Sequence, residues 1–169
     1  MDEEIQKYLK QVSREKMVEL WGRAKERNYE GLNDEEQRLA RIMVEHEDEF
    51  HNQFEFADLT YERDYDPEAE VNPFLHIFIH AAVENQLAEK DPLEVIQFYN
   101  AMRKKKITHH DTIHLIGAIF APLLFGVLQE EEHFDLDLYR TLLKKYKTRN
   151  PQKIQELLEK EPGLFPYDD

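Results

Sequence analysis

Residues 73–88, PFLHIFIHAAVENQLA, are apolar almost all round and contain no glycine and no proline after the first position. Asn72-Pro73 precedes them with a start signal: the asparagine side chain can cap the first free N–H groups, and proline at the first helical position loses no bond there. A helix without a polar face belongs at the centre of a fold, because on a surface it would leave a large apolar area in water.

The remaining chain repeats the helical period and shows little of the alternation that marks strands. After Ser13, the residues Met17, Leu20, Trp21 and Ala24 share one face of a helix that runs to about Arg27. Asn33 and Glu36 have capping-box spacing, which predicts a helix through about Phe56 with Leu39, Ile42, Met43, Phe50 and Phe54 along its stripe and His46 in the middle. Asp91-Pro92 repeats the start signal for a helix to about Lys104, turned inward at Leu93, Ile96, Tyr99 and Ala101 or Met102. Thr108 can cap a helix from His109 to about Gln129, in which Pro122 predicts a kink. Asp135 caps another to about Tyr146, and Asn150-Pro151 starts a last one that ends near Lys160, before Pro162-Gly163. Residues 57–71, with six acids, Tyr61, Tyr65 and Pro67, have no period and read as an ordered covering loop. Within it Asp64-Tyr65-Asp66 lacks the ligands and the glycine of a calcium loop. Trp21, Phe74 and Phe78 are expected in the core. The expected fold is all-α: a single domain over residues 1–169, a bundle of about six to eight helices with residues 73–88 central and the C-terminal helices, residues 135–160, packed on the bundle.

Charge and cysteine content narrow the function. The chain has 169 residues and no cysteine, which excludes thiol nucleophiles, Cys-ligated iron–sulfur clusters and cysteine zinc knuckles. A net charge of −14 repels nucleic acid and anionic lipid, so neither is an expected partner; the one basic run, residues 103–106, is short. The acidic start Met1-Asp2-Glu3-Glu4 is unlike an export signal, and a cytoplasmic location is expected. The longest uncharged apolar run, residues 115–128, contains Gly117, Pro122 and Gly126 and falls short of the roughly 18 residues of a membrane span. It reads as a buried core helix.

Histidine carries the chemistry. His76, His80 and Glu84 stand at i, i+4 and i+8, and His110 and His114 repeat the i, i+4 spacing. Each set projects from one face of its helix. Eight histidines placed at random in this length would give roughly 0.4 such pairs, against the two present on strongly apolar helices. Imidazoles one turn apart can each give a ring nitrogen to one divalent ion, with a carboxylate a further turn away completing the charge. His46, on a third apolar stripe, is a fifth imidazole. On the face of His110 and His114 the small residues Gly117, Ala118 and Ala121 leave room for an ion with water or for tight helix packing. The bland alternatives are a buried hydrogen-bond network for the histidines and a helix-end carboxylate or a Lys90 partner for Glu84. His51 lies off its stripe, His109 stands at a helix start and His133 in a polar turn, so none of these is a leading candidate. The run Glu45, Glu47, Asp48 and Glu49 reads as a solvated face, with Glu49 bordering the stripe of His46.

Asn72-Pro73-Phe74-Leu75-His76, followed by His80, Glu84 and Gln86, resembles the signature of a bacterial family known as domain of unknown function 1841. The resemblance runs over about residues 13–128 and includes His110-x3-His114, with weaker matches at Glu45-His46 and Asp91-Pro92. The family pattern has a second His-x3-His-x3-Glu, and here Ala118 occupies the place of its glutamate. Spacing around Glu45-His46 differs by one residue, so either His46 or His51 takes the family's second histidine position. The resemblance implies a helical fold and a shared histidine site; the family has no established activity, so no substrate follows.

Two functions are therefore expected. The first is a metal-binding bundle with His46, His76, His80, Glu84, His110 and His114 as ligands of one or two divalent ions, iron, manganese or zinc, acting on a small molecule as an oxidoreductase or a hydrolase. The pattern is similar in architecture to hemerythrin-like and ferritin-like bundles and to three-histidine helical thiol transferases. The second is a non-enzymatic module with a structural histidine network and an acidic surface for a basic partner.

Overall fold

The computed structural model describes residues 3–60, 63–65, 70–130, 133–162 and 164, with the side chains of residues 3–13 and 128–130 outside the description. Tyr61, Asp66, Pro67 and Gly163, singled out above, also lie outside the described residues. Among the described residues there are eight α-helices and no strand: α1 Glu3–Lys25, α2 Asp34–Glu45, α3 Glu47–Glu55, α4 Pro73–Glu89, α5 Leu93–Lys104, α6 His109–Glu130, α7 Leu136–Tyr146 and α8 Ile154–Leu158, the last preceded by a 3-10 turn at Pro151–Lys153. The fold class is all-α, as the periodicity predicts. The chain forms two compact units, Met1–Ala81 and Ala82–Asp169, whose boundary falls within α4.

In the first unit α1 packs on α2 and α3. Met17, Leu20, Trp21 and Ala24 are all buried, together with Ile42, Met43, Phe50, Phe54, Phe74 and Ile77. α1 begins about ten residues before the predicted start, which leaves Ser13 inside it. Residues 3–12, EEIQKYLKQV, are mostly good helix formers, and a serine with no breaker beside it costs too little to start a new helix. The helix closes where Arg27 turns left-handed at φ 56° and Asn28 N–H reaches back to the Arg23 carbonyl at 3.0 Å. Asn33 and Glu36 form the predicted capping box, each side chain accepting from the other's backbone N–H at 2.9 and 3.1 Å. Asn72 caps α4 by accepting from Phe74 and Leu75 N–H, both at 3.1 Å. Phe78, expected inside, is 52% exposed, whereas Ile77 and His80 are 0% and 4% exposed, so α4 is not buried all round.

The described part of the covering loop is tied down by a residue the periodicity did not single out. Arg14 extends the Met17, Trp21 and Ala24 stripe by one turn and is 4% exposed. Its guanidinium donates to the carbonyls of Thr60 and of Arg63, the latter at 2.7 Å, and lies 5.6 Å from the Tyr65 ring centroid and 5.1 Å from that of Phe74. Burial holds its pKa below the ordinary arginine value, yet a guanidinium stays charged, so the clasp is a permanent cation.

In the second unit α5 packs on α6 and α7, and α6 on α7 and α8. Thr108 caps α6 by accepting from Asp111 N–H at 3.1 Å, and Asp135 caps α7 through Leu138 N–H at 2.8 Å. Asp91 is not the cap of α5: Pro92 takes that position and Leu93 opens the helix. The inward face also differs. Leu93 is 58% exposed, whereas Glu94, Val95, Phe98 and Met102 are buried. A glutamate made that stripe look polar, but Arg140 and Lys144 of α7 meet its carboxylate at 3.1 and 3.0 Å and allow it inside. Asn150 accepts from Gln152 N–H, two residues on, which makes a tight turn before α8, and α8 ends at Leu158.

α6 buries Ile113, Ile116, Ile119 and Phe120, and Pro122 lies inside it. Residues 121–127 are half-buried, so the described buried positions of the expected core helix all lie before the proline. Among the described residues His109–Val127 is the one segment long and apolar enough to cross a membrane by length and composition; 33% of it is buried, and core helices of soluble proteins meet the same test.

Candidate metal centre

The first unit brings three histidines together. The predicted continuous helix from Asn33 to Phe56 is instead two helices, α2 and α3, which part at His46. Glu47, Asp48 and Glu49, expected as a merely solvated face, form the first turn of α3, where carboxylates suit the positive end of a helix dipole. At the break His46 has φ −106° and ψ 13°, and its backbone N–H is shared between the Ile42 and Met43 carbonyls at 3.2 Å each. Its ring Nδ1 lies 2.8 Å from the Ile42 carbonyl oxygen. A carbonyl only accepts, so Nδ1 carries the proton and donates. The neutral ring therefore keeps its lone pair on Nε2.

That lone pair faces another imidazole: His46 Nε2 and His76 Nε2 are 3.1 Å apart. The ring centroids of His46, His76 and His80 lie 4.8 Å (46 to 76), 4.6 Å (46 to 80) and 4.8 Å (76 to 80) from one another. His46 and His80 are 2% and 4% exposed, and His76 is half-buried. Phe50 closes the side of the group, with its ring 5.4 Å from His76 and 6.1 Å from His46. Two nitrogens bound to one ion at about 2.1 Å are separated by roughly 3.0 to 3.4 Å for angles between octahedral and tetrahedral. The observed spacing fits that range, and it equally fits an N–H of His76 donating to His46. Either use requires the proton position that Ile42 imposes. His51, the alternative to His46, is exposed on α3, with Nδ1 3.6 Å from Glu47 and its ring 5.6 Å from Trp21. It is not part of the group.

In the second unit His110 and His114 pack ring to ring at 4.4 Å. Glu84 is held by His109, whose Nε2 lies 2.8 Å from Oε1 and, with a carboxylate as acceptor, donates. His109 Nδ1 then accepts from Tyr99 Oη at 2.9 Å. Lys90 is not the partner of Glu84 in this structure. The local signal at His109 is the Thr108 cap, which fixes where α6 begins. Gly117 is buried and Ala118 and Ala121 are half-buried, whereas Glu45, Glu49 and His133 are exposed.

No curated protein matches the chain, and no solved structure matches it. A family model does, over residues 9–145, a span that holds all six candidate ligands and both His-x3-His pairs. With most of its length matched, the chain belongs to the family described as Domain of unknown function (DUF1841).

Proposed function

We propose that this protein binds one or two divalent ions of iron, manganese or zinc, with ligands drawn from His46, His76, His80, Glu84, His110 and His114. One observation carries the reading: His46 and His76 hold their Nε2 atoms 3.1 Å apart while the Ile42 carbonyl keeps the His46 proton on the opposite nitrogen. Fixing the non-ligating ring nitrogen with a carbonyl is how histidine ligands are oriented in metal sites. Burial of His46 and His80 supplies the apolar surroundings in which an ion holds its ligands firmly.

Such a site supports two reaction classes. Iron or manganese among imidazole and carboxylate ligands suits an oxidoreductase, and zinc with an open water position suits a hydrolase. Glu84 is the proton acceptor closest in type to what either needs, and His109 holds its carboxylate in place. A cytoplasmic site of action is part of the proposal. The second reading, a structural histidine network in an acidic interaction module, draws on the edge-on packing of His46 against His76 and His80 at 72° and 84°, which a network needing no ion would also produce.

Elemental analysis of untagged protein at neutral pH separates them. The first reading expects about one or two equivalents of metal per chain. Less than about a tenth of an equivalent, persisting after reconstitution under reducing conditions, would leave the structural network as the function of these histidines.

A further inference from the structure

A basic surface assembled by the second unit carries the inference. Residues 95–110 and 138–155 together hold ten of the chain's 22 basic residues and none of its 36 acids. The first stretch ends α5, and the second covers most of α7 and the turn before α8. Lys105 joins them: its Nζ donates to the carbonyls of Lys147, at 2.9 Å, and of Arg149. Lys147 Nζ reaches back to Gln97 of α5 at 3.0 Å. The short run at residues 103–106 is thereby extended by residues more than forty positions away.

Part of this basicity has a local explanation. Arg103, Lys104, Lys144 and Lys145 lie in the last turns of their helices, where cations suit the dipole. Arg140 and Lys144 are engaged by Glu94, and Lys145 by Glu161. Neither reason covers Lys106, Arg149 and Lys153, which lie beyond those helix ends. With Lys104 they are exposed and in no ion pair among the described residues.

A complementary surface is present on the same chain. Residues 34–58 hold nine acids against two arginines. Of these, Asp34, Glu35, Glu45, Asp48, Glu49 and Asp58 are exposed and likewise in no ion pair among the described residues. We infer that the basic surface formed by the ends of α5 and α7 docks on the acidic α2–α3 segment of a second copy of this chain. A polyanion such as RNA would meet the same lysines but would also meet the repulsion of a molecule at −14. A second copy carries the same net charge, but unlike a polyanion it also brings a basic surface of its own. Its charge is therefore not of one sign throughout, and its carboxylates are concentrated on the α2–α3 segment. Because the two faces differ, the contact is heterologous, and it closes into a ring or extends head to tail.

The test is sedimentation velocity at about 20 mM and about 500 mM salt, where the Debye length falls from roughly 20 Å to roughly 4 Å. The proteins are the full chain, a variant with Lys104→Glu, Lys106→Glu, Arg149→Glu and Lys153→Glu, and a second variant with Asp34→Lys, Glu35→Lys, Asp48→Lys and Glu49→Lys. Circular dichroism checks that each variant is folded, and a milder set with glutamine at the four basic positions stands in if the first does not fold. Wild type is expected to self-associate at low salt and dissociate at high salt. Each variant alone should associate at least about tenfold more weakly, and an equimolar mixture of the two should recover a complex. A wild type monomeric at low salt up to about 0.5 mM overturns the inference. So does association that survives reversal of the basic surface, or a patch that binds single-stranded RNA while the protein stays monomeric.

Discussion

Three side chains show how single residues set the properties of this protein. His46 is the first. Its Nδ1 proton is committed to Ile42, so its Nε2 is the atom offered to His76, and the companion His80 is buried. Replacement His80→Ala should reduce bound metal to below about a tenth of the wild-type stoichiometry, measured by elemental analysis, while His51→Ala leaves it unchanged. Metal retained in the His80 variant would remove that residue from the ligand set. Arg14 is the third. Two carbonyl acceptors and two aromatic faces surround a cation that is 4% exposed. Arg14→Ala should cost about 2 to 4 kcal/mol in urea unfolding, because it deletes two charge-assisted bonds and leaves their carbonyls to find water. A loss under about 0.5 kcal/mol would show that the clasp is satisfied by solvent. The acceptor of the His46 proton is local, one turn back at Ile42, whereas the partner of its Nε2 and the partners of Arg14 are distant in sequence. The Arg14 acceptors lie 46 and 49 residues away.

At the scale of elements, the starts of helices were the most legible feature. Asn33, Asn72, Thr108 and Asp135 each accept from a backbone N–H within the next three residues, so their signal is contained in one turn. Where two elements must cooperate the pattern misled, as α5 shows. Glu94 turns inward because Arg140 and Lys144 of α7 wait for it, and hydrogen bonding to those two cations lowers its pKa to about 2. The folded pKa lies below the ordinary carboxylate value of 4.5. The ion pairing therefore contributes its full stability above about pH 4.5 and loses it as pH falls towards 2. Comparing Glu94→Gln with wild type from pH 7 to pH 2.5 should show a stability gap that is constant above about pH 5 and shrinks steadily below it. A gap that does not change over that range would mean the carboxylate is not ionised by its partners. The break between α2 and α3 belongs to this scale too. The apolar stripe runs through His46 without interruption, and only the geometry reveals that the acids after it open a new helix.

For the whole molecule, metal and charge make separate predictions. If the ions are resident, a chelator should lower the melting temperature. Free metal at about a hundred times its dissociation constant stabilises by about 2.7 kcal/mol, and for a chain of this length that corresponds to roughly 5 to 10 °C. Calorimetry with and without chelator reads the difference, and identical melts at full metal removal would favour the structural network. The distribution of charge is a property of the same scale. The net charge is −14, yet two stretches without a single acid lie side by side at Lys105. The sequence read alone determined the all-α class, most helix starts, the buried stripes of α1 and α2, and the pairing of His76 with His80 and of His110 with His114. Each of these rests on residues within one or two helical turns, where the 3.6-residue period fixes neighbours before any tertiary contact forms. Tertiary structure alone decided that His46 and not His51 joins His76 and His80, that His109 takes Glu84, that Glu94 is buried and that the lysines of α5 and α7 make one surface. Those pairings join residues 25 to 50 positions apart, and which of them form depends on how helices pack, which no local period encodes.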